Sequence, residues 1–276
     1  MIILRKGIGE DQFGKVYYGE LNTELDCRCI IKTSRANNHE DFINQAVKWS
    51  SFNHPNVINI LGICTQETIL RVVYEYLECG TLHDYLLRHS PLDDPNDCCK
   101  PDCLSGSDLL SIAVQVADAL NYLTNNSYIH GDIATRSCMV GPQRTVKITD
   151  ISLSWYRHAR DYYWEENKRP MPIRWMAPEG VIHSKFTAET DIWSFGVFLW
   201  ELFSYGDQPH YGYSDDEVIR RIRDHAILEC PTDCPEAVYS LMKECWDIMP
   251  PSRPQFRAIY TSLCSLQHDY DNRVIT

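Results

Sequence analysis

The sequence predicts an α+β protein in two unequal parts, a small strand-rich N-terminal part and a larger helical C-terminal part. Three observations predict it. Short runs of β-formers separated by polar turns are confined to the chain before Gly80. After Thr81 the apolar residues recur at helical spacing. At 276 residues the chain is long enough to bury a substantial core as one large domain or two lobes.

Lys15 to Gly19 and Cys27 to Thr33 read as strands across a polar turn, and Val72 to Tyr76 reads as another. Between them, Glu40 to Phe52 places Phe42, Ile43, Ala46, Val47 and Trp49 at helical spacing, and His54-Pro55-Asn56 punctuates the chain after it. Cys64, in Ile-Leu-Gly-Ile-Cys, reads as a core residue. From Leu109 to Leu123 the apolar positions form one broad face. Asp191 to Phe203 is almost wholly apolar and is expected to cross the core. Asp216 to Ile227, Glu236 to Trp246 and Pro254 to Leu266 complete the helices. The polar stretch 90–107 reads as a surface insert between two helices.

Composition narrows the function. Hydrophobic residues at 44% and charged residues at 23% are ordinary for a folded domain. A net charge of −12 argues against nucleic acid or an anionic membrane face as the main partner. No apolar run approaches the ~20 residues of a membrane span, and no leader is visible. The expectation is a free soluble protein or the cytoplasmic part of something larger. Cys98, Cys99 and Cys103 cluster with Asp93, Asp94 and Asp97, but no second ligand pair accompanies them, so reduced thiols are a simpler reading than zinc.

His130-Gly131-Asp132-Ile133-Ala134-Thr135-Arg136-Ser137 resembles the catalytic loop of receptor tyrosine kinases, H-R-D-L-A-A-R-N. Pro172 to Glu179 resembles the tyrosine-kinase segment ending in A-P-E, and Asp191 to Val197 follows at the family's spacing. The likeness runs from Gly9 to about Leu263 with every landmark in order. Among tyrosine kinases the Ror receptors are most similar, in Asp161-Tyr162-Tyr163, Pro172 to Met176, Asp191 to Val197 and Tyr239 to Met242. The resemblance implies a bilobal protein-kinase fold over residues 1–276, with a β-rich N-lobe at 1–77, a hinge at 75–80 and a helical C-lobe at 81–276.

It also implies a site. Gly9, Asp11, Gly14, Val16, Ile30, Lys32, Tyr74, Glu75, Leu77 and Met139 fall at nucleotide-cleft positions, Asp150 and Ser137 at magnesium ligands, and Asp132 and Arg136 at the catalytic base and its support. Five motif positions depart from the pattern. Asp11 replaces a phosphate-loop glycine; a carboxylate ~6 Å from a phosphate costs on the order of 3 kcal/mol per charge pair at an effective dielectric near 20. Ile30 replaces the alanine that roofs the adenine. Gln45 replaces the glutamate that pairs with the lysine, leaving an amide able to accept from Lys32 but carrying no charge. Ser137 replaces a metal-binding asparagine, and Ser152 the glycine of D-F-G.

Gly131 replaces the cation that would meet a phosphorylated loop tyrosine, so Tyr162 and Tyr163 are expected as regulatory phosphosites, docking marks more than switches. Glu179 and Arg253 are expected as a buried structural ion pair. The functional expectation is a pseudokinase scaffold on the cytoplasmic side of the plasma membrane, in a single-pass Wnt-binding receptor. Its partners are signalling proteins or another receptor or kinase, with Wnt met only through an extracellular region outside this chain, and no nucleic acid. ATP and magnesium are the cofactors if binding is retained. The alternative is an impaired but active tyrosine kinase.

Overall fold

The computed structural model describes residues 2–10, 14–22, 27–35, 39–65, 69–91, 103–150, 161–163 and 171–274. Asp11 and Ser152, and the cysteines Cys98 and Cys99, lie outside the described residues.

Among the described residues the N-terminal lobe is a five-stranded antiparallel sheet with one helix. Strands β1 (Ile2–Glu10), β2 (Lys15–Leu21), β3 (Cys27–Thr33), β4 (Ile60–Cys64) and β5 (Arg71–Glu75) lie in the order β1-β2-β3-β5-β4. Helix α1 (His39–Ser50) turns Phe42, Ala46 and Trp49 inward as its spacing predicts, but Val47, read on the same face, is exposed. Cys64 departs from expectation. Its strand is at the sheet edge, so the thiol is only half-buried, and Leu61 on the same strand is exposed.

The C-terminal lobe carries α2 (Leu82–Arg88), α3 (Gly106–Asn125), α4 (Pro178–His183), α5 (Ala188–Phe203), α6 (Asp215–Arg223), α7 (Glu236–Cys245) and α8 (Phe256–Val274). Helix α3 starts inside the stretch read as a surface insert. Ser105 and Asp108 cap it reciprocally, Ser105 N–H to Asp108 Oδ2 at 2.8 Å and Asp108 N–H to Ser105 Oγ at 3.2 Å. Leu104 is buried, and its N–H donates to the His89 carbonyl, so both ends of that stretch are built into the lobe.

Pattern reading also passed over a three-stranded sheet, β6 (Gly80–Thr81), β7 (Cys138–Val140) and β8 (Val146–Ile148). Each strand is too short to show a period. This sheet carries the catalytic segment to the cleft. The lobes join there: Asn56 and Ile58 exchange backbone hydrogen bonds with Ile148, and the Asn56 amide donates to the Val146 carbonyl at 2.8 Å.

Helix α5 is buried along almost its whole length and is the axis of the C-lobe. Arg253, its side chain fully buried, closes α5 against α4. It meets Glu179 in a fork of 2.6 and 3.0 Å, donates to the Asp247 and Glu189 carbonyls, and lies 5.1 Å from the Trp193 ring centroid. We expect Arg253→Ala to cost roughly 3–5 kcal/mol, because Glu179 keeps its charge in a poorly hydrated site. Urea denaturation checks this. A loss below about 1 kcal/mol would show the pair to be a surface contact in energetic terms.

Candidate functional site

The catalytic loop is held from below by α5. Asp191 accepts the His130 and Gly131 N–H groups at 2.7 and 2.9 Å. Ten residues along, Glu201 accepts Thr135 N–H at 3.1 Å, Thr135 Oγ1 at 2.9 Å and Trp175 Nε1 at 2.7 Å. Burial pushes both carboxyls upward in pKa, against the donors that hold their charged forms. The His130 ring is fixed by the same network: Nε2 faces the Thr149 carbonyl at 3.0 Å and Nδ1 accepts Asp132 N–H at 3.3 Å.

Gly131 has φ +76°, a region L side chains rarely adopt. The glycine therefore relaxes a strained corner at the position where the resemblance expects an arginine.

Asp132 already holds two donors. Arg136 Nη2 reaches its Oδ1 at 2.6 Å, and the Tyr162 hydroxyl donates to its Oδ2 at 2.7 Å. Arg136 Nε donates back to the Tyr162 oxygen at 3.1 Å. The Arg136 guanidinium is buried, 4.0 Å from the Trp175 ring centroid and 4.9 Å from that of Tyr162. Burial works against its charge, but Asp132, Tyr162, Asp161 and Glu201 outweigh it and raise its pKa. Tyr162 is 4% exposed, and burial raises its phenol. In this conformation Tyr162 is shut against the catalytic base. Tyr163 is half-buried and exchanges two backbone hydrogen bonds with Met171 at 2.8 and 3.1 Å. Beside it lies a hollow of about 500 Å³ lined by Met171, Ile173, Ile219, Arg220 and Arg223.

In the nucleotide cleft, β3 and β5 pair Ile30 with Tyr74 and Lys32 with Val72. Val16, Ile30, Leu77 and Met139 are each 5% exposed or less and belong to one apolar cluster with Tyr74. The Tyr74 hydroxyl lies 3.5 Å from Asp150 Oδ2, a long contact. Lys32 is buried, with its ammonium 6.0 Å from the Phe42 ring centroid. Glu75 turns its carboxylate out of the cleft to Lys147 Nζ at 2.7 Å and Asn59 N–H at 2.7 Å. Ser137 is buried between the Ala134 carbonyl and the Thr149 N–H. Gly9 lies in β1, and Gly14 packs so tightly against the Thr33 carbonyl that a side chain there would collide with it.

Gln45 sits where the sequence places it on α1, and its amide lies near the Tyr128 phenol, favouring the ionised form against the burial that raises its pKa. Trp49, one turn on, stacks edge-on with Tyr128, Phe52 and His130 and donates Nε1 to the Ile58 carbonyl at 2.9 Å. Sequence reasoning passed over Tyr128 and Glu201 and read Trp49 only as an apolar position of its helix. Glu201 had a signal: it is the one charged residue in the last three turns of an apolar helix.

This fold and site define a protein kinase domain, and the chain belongs to that family: the model of protein tyrosine and serine/threonine kinases matches residues 2–263. It is related to receptor tyrosine kinases. It is 38% identical over 262 residues to the tyrosine-protein kinase transmembrane receptor Ror of Drosophila melanogaster, covering 93% of this chain and 37% of that protein. It is 37% identical to the BDNF/NT-3 growth factors receptor of Gallus gallus, covering 96% of this chain and 33% of that receptor. It is 36% identical to the high affinity nerve growth factor receptor of Rattus norvegicus, covering 96% and 34%. The chain thus spans about a third of the length of these relatives. No helix among the described residues is long and apolar enough to cross a membrane.

Two outcomes follow. Gly131→Arg should destabilise the domain by about 1–2 kcal/mol, a conformational cost, since a Cβ there meets no atom within 4 Å; denaturant titration measures it, and an unchanged midpoint would contradict the strain argument. Asp132→Ala should speed phosphorylation of Tyr162 by an added active tyrosine kinase about tenfold or more, because a hydrogen bond to a charged group is worth ~1.5–3 kcal/mol. Site-resolved mass spectrometry should find Tyr163 little changed; equal rates at Tyr162 before and after the substitution would show that Asp132 does not shield it.

Proposed function

We propose that this domain is the kinase-fold signalling module of a Ror-type single-pass receptor, on the cytoplasmic side of the plasma membrane, with weak or absent ATP binding and phosphoryl transfer. One observation carries the reading. Where the family's ion pair orders the phosphate-binding lysine, Gln45 brings no charge, and its amide lies near the Tyr128 phenol. Helix α1 is instead fastened by the aromatic packing of Trp49, which needs no nucleotide.

Protein kinases as a family use ATP and magnesium. The residues present here fit that pair poorly. Ile30 puts a larger side chain than alanine among the buried Val16, Leu77 and Met139 that line the cleft, the Tyr74 hydroxyl lies 3.5 Å from Asp150, and Ser137 offers a shorter and weaker ligand than an amide carbonyl. On this reading the domain's output is its folded surface. Its partners are signalling proteins or a second receptor or kinase that modifies its tyrosines, and Wnt is met only by the extracellular part of the receptor.

A second reading, an impaired active tyrosine kinase, is favoured by the Asp132–Tyr162 geometry. A tyrosine hydroxyl 2.7 Å from a carboxylate, steadied by Arg136, is the arrangement a catalytic base needs. On that reading Asp132 orients the hydroxyl, Arg136 supports it, and Tyr162 blocks the site until displaced.

Thermal melting in millimolar magnesium ATP separates the two. Ligand stabilisation grows as RT ln(1 + [L]/Kd), so a micromolar Kd would add ~4 kcal/mol at a thousandfold excess. We expect almost no shift, and a shift of that size would favour the active kinase. Gln45→Glu, Ile30→Ala or Ser137→Asn alone should leave autophosphorylation at background, since parts that act as one unit are not additive. Strong activity in any single variant would show the defect to be local.

A further inference from the structure

Helix α6 carries two cations that the kinase-fold reading leaves unused. Arg220 and Arg223 are three residues apart and share one face of the helix. Among the described residues neither makes an ion pair. Arg220 donates Nε to the Asp216 carbonyl at 3.3 Å, and the Arg223 side chain has no hydrogen-bond partner. Their neighbour Arg221 is turned elsewhere, 4.4 Å from the Tyr213 ring centroid. Arg220 and Arg223 both line the hollow of about 500 Å³ that Tyr163 enters. Its apolar walls are Met171, Ile173, Val181 and Ile219, and the acid in its lining is Asp216. Tyr163 packs against a buried cluster that includes Val218 and Ile222 of the same helix. Its ring therefore rests on the helix that bears the two guanidinium groups. Tyr162, one residue earlier, goes the other way, to Asp132 at 2.7 Å.

We propose that Tyr163, once phosphorylated, is held by Arg220 and Arg223 of α6, and that this hold keeps Tyr162 shut against Asp132. The inference rests on the reading that a second kinase modifies the domain's tyrosines. In that step the Tyr163 phenol oxygen attacks the γ-phosphorus of ATP on the other kinase. The bond to the β-phosphate oxygen breaks, ADP leaves, and the phenol proton passes to that kinase's base. The product carries close to two negative charges and three acceptor oxygens. Two guanidinium groups outweigh the one carboxylate of Asp216, and each offers several donors to a phosphate. With glycine at 131 the catalytic loop supplies no competing cation at that position. The backbone pairing of Tyr163 with Met171 need not open, because the ring already lies toward α6. A phosphate fixed there anchors the segment on one face, and the adjoining Tyr162 stays closed on the other. The first phosphate thus acts as a latch on the shut state.

The test uses the purified chain phosphorylated at Tyr163 alone by an added active tyrosine kinase. Phosphorus NMR follows the phosphate through a pH titration, in the folded chain and in urea. Its second pKa should fall below the ~6 of a free phosphotyrosine only in the folded chain, because the guanidinium groups favour the dianion. Arg220→Gln with Arg223→Gln should abolish the fall, and Arg220→Lys with Arg223→Lys should keep part of it. Both arginines are exposed, so the substituted chains should melt like the parent. Tyr162 should then be phosphorylated about tenfold more slowly in the Tyr163-phosphorylated chain than in the unmodified one, the scale of one or two charge-assisted hydrogen bonds. The double glutamine variant should erase that difference. A phosphate that titrates alike folded and in urea, or is untouched by the substitutions, would overturn the proposal. So would faster modification of Tyr162 after Tyr163. A folded chain whose Tyr163 no added kinase modifies would overturn both this and the reading beneath it, whereas a modified Tyr163 with a free phosphate overturns this alone.

Discussion

The catalytic loop is held by two carboxylates of one buried helix, and the rest of the site depends on them. Asp191 and Glu201 stand ten residues apart on α5, about 15 Å along its axis at 1.5 Å per residue. One grips the loop at His130 and Gly131, the other at Thr135. Between the two grips lies Asp132. Its direction is set by a rigid apolar rod at the centre of the lobe, not by the loop's own preferences. Burying two carboxylates is costly, and the cost is offset by the hydrogen bonds each accepts from the loop it positions and, at Glu201, from Trp175 as well. Losing the loop would strand the charges, and losing the charges would release the loop.

Arg136 extends the same arrangement toward the surface. It is buried between Trp175 and Tyr162 and is surrounded by Asp132, Asp161 and Glu201, so its charge is kept by its neighbours. Trp175 is shared, giving its indole N–H to Glu201 and its face to Arg136. The tyrosine-bearing segment therefore lies on a preformed cationic and aromatic platform. Tyr162 closes it by donating to Asp132 while accepting from Arg136. A phosphate on that oxygen would face Asp132 at hydrogen-bonding range with no water between, so the phosphorylated and closed forms exclude each other on Coulombic grounds.

The order of elements was legible in the sequence where periods are long. The apolar faces of α1, α3 and α5 follow from spacing alone, and the catalytic segment from eight consecutive residues. What was not legible depends on neighbours distant in sequence. Strands β6 to β8 are two or three residues long, too short for a period, and exist because the cleft needs a floor. Cys64 looked like core because its run is apolar, but edge position is a property of sheet order, which no local pattern encodes. The departures at Ile30, Gln45 and Ser137 could be read as chemistry from the sequence, while the partner Gln45 takes could not. Tyr128 is 83 residues away and becomes a neighbour only through the lobe interface.

That partnership bears on how the lobes communicate. In a kinase that relies on a lysine–glutamate pair, α1 is ordered partly by electrostatics that the nucleotide reinforces. Here Trp49 is wedged against Tyr128 and His130 with its indole N–H on Ile58, the Gln45 amide lies near the Tyr128 phenol, and the Lys48 ammonium sits 5.0 Å over the Tyr128 ring centroid. These contacts join α1 directly to the catalytic loop, and they are mainly dispersion and burial, which act without any ligand. A ligand shifts a conformational equilibrium only by its differential affinity for the two states. A helix already seated by packing leaves a nucleotide little to shift. The lobes are thus coupled by fixed contacts, and the segment left to change state is the one carrying Tyr162, whose hold on Asp132 consists of hydrogen bonds that phosphorylation would break.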